Sequence, residues 1–131
     1  MATIPIRTVR ALATLAALGF AACSATEPTQ VEADFVVSVL GETFVMRVRD
    51  PETIRLAREH LQGRNQRFPV GPLRRGHGGF NAPWSWHLDP AEVRLAEAAI
   101  EVCDGTPSYV ESHLADFPSY CPWAARIVAE R

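Results

Sequence analysis

A chain of 131 residues has room for one domain and little besides. Its thirteen basic residues, all arginine, face fifteen acids, and from Cys23 onward eleven arginines face the same fifteen. That mildly acidic balance excludes the basic face of a nucleic-acid binder and the polybasic patch of a membrane-surface protein, and the 47% apolar fraction excludes a disordered tail.

Arg7 and Arg10 precede an uncharged apolar run from Ala11 to Ala22. The run is shorter than the about 20 residues a spanning helix needs, so residues 1–22 read as a secretory signal. The competing reading is an N-terminal helix buried in the fold. Ser24 to Gln30, polar and broken by Pro28, has the composition of a linker instead. Phe20-Ala21-Ala22-Cys23 resembles the bacterial lipobox, in which small residues precede a cysteine that is acylated and becomes the mature N-terminus. The resemblance implies a lipid on Cys23, a tether over 23–33 and a membrane partner reached through the anchor. The lipobox pattern carries Leu, Val or Ile where this chain has Phe20. Ordinary signal cleavage, leaving a soluble periplasmic or secreted protein, is the alternative.

Three cysteines leave an exported protein with one unpaired. Acylation of Cys23 removes that one, and Cys103 and Cys121 are then free to oxidise outside the cytosol. Two free cysteines buried as small apolar groups are the alternative.

Along the remaining chain, Phe35 to Leu40 and Thr43 to Arg49 are β-rich runs separated by Gly41-Glu42, which predicts a hairpin over 34–49. Phe44, Met46 and Val48 share one face of its second strand, and Arg47 and Arg49 the other. Asp50-Pro51 is a helix start, Ile54, Ala57 and Leu61 recur at helical spacing, and Gly63 stops the helix, predicted over 51–62. Residues 64–83 are rich in Gly and Pro, with a short strand at 68–73. Trp84, Trp86 and Leu88 alternate as in a strand. Asp89-Pro90-Ala91-Glu92 reads as a second helix start. The stretch 98–103 suits either a continuing helix or a short strand after one helical turn. Ser108 with Glu111 forms a capping-box pattern before a helix at about 107–116, and residues 123–128 suit a closing strand.

The segment from Gly78 to Pro90, with Ile100 to Gly105 and Cys121-Pro122-Trp123, resembles a family of small proteins named after the N-terminal domain of a eukaryotic calmodulin-binding protein. The likeness runs from about Phe35 to Val128. It implies one α+β domain and favours a strand at 98–103, and it brings no reaction with it. Calmodulin itself is not an expected partner. Its targets are basic amphipathic helices, and in the 51–62 helix Arg55 and Arg58 are offset by Glu52 and Glu59.

Side chains with chemistry are few. His87 and Asp89, two apart on a strand, would face one way and form a metal pair, with His77 as a third ligand from the loop. Asp89 also has the place of a helix cap, and a histidine bonded at the core edge is the plainer reading. Glu101 with Asp104 would be an acid/base pair, and Ser85 lacks the glycine-lined elbow of a nucleophile. Arg74 and Arg75 suit an anion, or simply solvent. Trp84 and Trp86 form either a core closed by Trp123 or, with Arg74, Arg75, His77 and Phe80, a recognition surface on a braced loop.

The expectation is therefore an α+β domain over 34–131: an antiparallel sheet entered by the hairpin, with helices at 51–62 and about 107–116 packed on it. Its expected role is a non-enzymatic, exported, membrane-anchored binding module of the cell envelope with a protein partner and no cofactor. A metal-assisted hydrolase using His77, His87 and Asp89 is the alternative.

Overall fold

A computed structural model describes residues 29, 31–99 and 102–131. The expected signal, Cys23 and most of the tether lie outside the described residues, as do Ile100 and Glu101.

Strands β1 (Ala33–Val39) and β2 (Glu42–Val48) form the predicted hairpin, with Ala33 opposite Val48 and Val39 opposite Glu42. The pairing leaves a two-residue turn, and both Leu40 (φ 49°) and Gly41 (φ 93°) are left-handed, as a type I′ turn demands. Alternation does the rest: Phe35, Val37 and Val39 are inside, together with Phe44, Met46 and Val48. Asp34 lies opposite Arg47, and the two join as a bidentate pair at 2.7 and 2.9 Å.

Helix α1 (Pro51–Leu61) starts where expected. The Asp50 carboxylate accepts the Thr53 N–H at 2.8 Å and the Thr53 hydroxyl at 2.7 Å. Its inner face is Thr53, Ile54, Ala57 and His60, whereas the predicted inner residue Leu61 is exposed. One helical step separates the two, and it turns a histidine rather than a leucine into the core.

Beyond the helix, β3 (Phe68–Arg75) organises the second half. It pairs antiparallel with β4 (Trp86–Leu88), β5 (Arg94–Ala96) and β6 (Ser119–Tyr120). The closing strand β7 (Ala125–Glu130) begins two residues later than predicted and joins β1. There are thus two antiparallel sheets rather than one: β2-β1-β7, and β4-β3-β5 with β6 also on β3. Both contribute to one core, and α1 packs against β7, β5 and β2.

The link from β4 to β5 departs most from expectation. β4 and β5 flank β3 on opposite sides, so residues 89–93 must cross over it. They do so at Gly71, where an added Cβ would lie 3.0 Å from the Val93 Cα. Asp89 caps only a single turn, accepting the Ala91 N–H at 2.9 Å, before the chain extends into β5. No helix starts there. At 98–103 the described residues Ala98, Ala99, Val102 and Cys103 belong to neither helix nor strand; the strand of this region is β5, further upstream.

Helix α2 (Pro107–Ser112) and a 3₁₀ turn (Leu114–Asp116) fill the predicted second helical region. The cap is Thr106 rather than Ser108. Glu42 of β2 instead accepts both the Ser108 N–H and hydroxyl at 2.7 Å. The Cys103–Cys121 disulfide is present, its Cα atoms 5.1 Å apart and both residues buried. Within the bridge the Cys121 N–H donates to the Cys103 carbonyl at 2.8 Å.

Candidate functional site

The loop between β3 and β4 carries the predicted recognition residues, and it lies along the outward side of β2 in regular steps. Trp84 Nε1 donates to the Thr43 carbonyl at 2.9 Å. Two residues on, the Val45 N–H donates to Asn81 Oδ1 at 2.7 Å. Two further, the Arg47 guanidinium carbon stands 4.8 Å over the Phe80 ring, a cation–π contact. The loop thus covers the one strand of the first sheet that lacks a second partner.

Asn81 is the pin of this arrangement. It is fully buried, and its amide also donates to the Trp86 carbonyl at 2.8 Å. Its backbone N–H donates to the His77 carbonyl, and its carbonyl accepts from Trp84. The Gly76 N–H closes the loop on the Ser85 carbonyl at 2.6 Å. Sequence reasoning missed Asn81. One signal was available: Phe44-Val45-Met46 is apolar without alternation, which requires a cover on both faces of β2.

The predicted residues part company on this frame. Trp86 is fully buried and meets Phe44 at 5.4 Å and Tyr120 at 5.3 Å between ring centres, so it belongs to the core and to no binding surface. Trp84 is partly covered, stacked on Trp86. Trp123 does not close over the pair. It is 53% exposed, on a cleft of about 300 Å³ with Phe68, Glu97, Ala98 and Ala99. The core lid is taken instead by Tyr120, whose hydroxyl donates to the Gly105 carbonyl at 2.8 Å.

Arg74 and Arg75 leave β3 on opposite faces, since their partners in register are His87 and Trp86. Arg74 is neutralised by Asp89 at 2.8 Å and Glu92 at 3.4 Å. Arg75 is exposed beyond the core. His77 is exposed, its Nδ1 accepting the Gly79 N–H at 2.9 Å. His87 is bonded through Nδ1 to the Gly76 carbonyl at 2.7 Å, and Phe80 meets its ring edge-on at 5.3 Å.

The metal triad does not assemble from these groups. Asp89 is engaged by Arg74 and by the Ala91 N–H, which together with its other contacts hold its pKa below the usual carboxylate value. Among the described residues no three His, Cys, Asp or Glu side chains gather as a metal site. Asp104 accepts the Trp123 N–H at 3.0 Å, while Glu101, its expected partner, lies outside the described residues. Ser85 donates to Glu111 at 2.6 Å through its hydroxyl, with no imidazole on it.

What remains is a braced rim of Arg75, His77, Phe80 and His87, in a stretch of sequence without a carboxylate anywhere between Arg74 and His87. Such a rim suits contact with an anionic group; its described side chains form no set for moving a proton or attacking a bond. A family model for the N-terminal domain of a calmodulin-binding protein matches residues 31–131. No curated protein and no solved structure matches the chain.

Proposed function

The chain belongs to the family named after that N-terminal domain, and from that premise we propose that it is a non-enzymatic interaction module, exported and lipid-anchored through Cys23, that holds an acidic segment of an envelope protein. The observation that carries this reading is the pinning of the 76–85 loop by Asn81, with Arg75 and His77 exposed beside it. A loop fixed to both sheets presents its side chains without an ordering cost on binding, which is how a small rigid surface gains affinity. Arg75 and His77 supply positive charge, and Phe80 supplies a partly exposed ring between them. The disulfide agrees with folding in an oxidising compartment.

The test compares the chain with an Arg75→Glu, His77→Ala, Phe80→Ala variant in capture of envelope proteins at low and high salt. A partner held by the native chain, released by salt and lost in a variant of unchanged melting temperature supports the reading. Equal capture by both overturns it. Mass spectrometry of the native N-terminus tests the anchor separately: acylated Cys23 is expected, and an unmodified start elsewhere removes it.

A further inference from the structure

Of the four histidines only His60 is buried, at 8% exposure on the inner face of α1. Its Nδ1 has no hydrogen-bond partner, and the polar groups reaching the ring are the Arg67 backbone and the Asn65 side chain. The charge acting on it is positive, from Arg126 on β7. The carboxylates of the surrounding elements are committed elsewhere. Glu59 is held by Arg55, Glu130 of β7 by Arg58, and Glu97 beyond β5 by Arg67. On the remaining faces, Arg94 of β5 points to Asp50 and Arg47 of β2 to Asp34.

We propose that His60 makes this fold respond to mild acid: a proton on the ring sets a second cation against Arg126 in a buried seam and loosens α1 from β7, while the Cys103–Cys121 bridge keeps β6 tied. Burial first, and Arg126 with it, hold the His60 pKa below its ordinary 6.5. The neutral ring is therefore the folded form, and the unfolded chain takes up the proton first. Stability is complete above about pH 6.5 and falls as the pH drops toward the folded-state value. The carboxylates protonate lower still, and the other three histidines are more exposed.

The experiment is thermal melting and hydrogen exchange of the full chain at about pH 7.5 and about pH 5.5, beside His60→Gln and Arg126→Gln. The native chain is expected to melt roughly 5 °C lower at the acid value, with faster exchange over 57–63 and 125–130. His60→Gln flattens the difference and Arg126→Gln shrinks it. Equal melting of the native chain at both values overturns the proposal, as does an undiminished acid drop in His60→Gln. Should His60→Gln fail to fold, Arg126→Gln decides: a drop as large as the native chain's overturns it.

Discussion

Asn81 accepts the Val45 N–H at 2.7 Å across 36 positions of sequence, and with its own amide holds the Trp86 carbonyl at 2.8 Å, so one side chain joins the hairpin to the second sheet. Asn81→Ala strands both main-chain groups in a site without water access. At about 1–3 kcal/mol for each buried group left unmade, the expected loss is several kcal/mol in urea unfolding. Asn81→Asp keeps the acceptor, loses the donor and buries a charge, and should be no better. A loss under about 0.5 kcal/mol for Asn81→Ala, the level of an ordinary surface change, would mean the loop is braced by something else.

Gly78 and Gly79 separate two costs that usually travel together. Both are left-handed, at φ 64° and 85°. A Cβ on Gly78 would stand 2.8 Å from the Phe80 ring and 2.9 Å from His87, whereas one on Gly79 meets nothing within 4 Å. Gly79→Ala should therefore cost about 1 kcal/mol of backbone strain, and Gly78→Ala clearly more. Equal melting temperatures for the two variants would show that Phe80 and His87 yield freely.

Leu40 carries the opposite case. It is 77% exposed and left-handed at the first turn position of the hairpin. Asparagine tolerates that conformation better and leucine gains nothing from packing there. Leu40→Asn is expected to stabilise by about 0.5–1 kcal/mol. A lower melting temperature would mean that Leu40 is held by a contact outside the hairpin.

Local signals made the hairpin, α1 and its cap legible, because alternation, Asp50-Pro51 and the two-residue turn act within a few positions of themselves. The Cys103–Cys121 pairing followed from parity. The crossover at 89–93 was not legible: Asp89 caps a turn as well as a helix, and what decides is Gly71, distant in sequence, admitting Val93. The site fared similarly. Arg75, His77 and Phe80 were found by composition. The burial of Trp86, the exposure of Trp123 and the pairing of Arg74 with Asp89 depend on which strand lies opposite. Asn81 was silent because a buried amide has no pattern of its own.

The Cys103–Cys121 bridge spans 18 positions and ties β6 to the irregular chain before α2. On the chain-entropy model, closing such a loop contributes about 3 kcal/mol. The double replacement Cys103→Ser, Cys121→Ser should lose that amount, and reduction of the native chain should lower its stability equally. Non-reducing mass mapping should join the two peptides. Free thiols at both positions in natively exported protein would remove the staple, and a reduced chain as stable as the oxidised one would show that the loop is ordered before the bridge forms.

Strong acid should act through the carboxylates. Asp50 is held below its ordinary value of 3.8 chiefly by the Thr53 hydroxyl and N–H, and Glu130 below 4.5 by Arg58. In both, the folded state keeps the ionised form to lower pH than the unfolded chain does. The stabilisation they give is present above the unfolded values and is lost as the pH falls through the folded ones. Asp50→Asn mimics the protonated cap at every pH. It should melt below the native chain near neutrality, and the gap should close toward about pH 2, where the native carboxyl is protonated too. A gap of constant size across the titration would show that Asp50 acts through its shape rather than its charge.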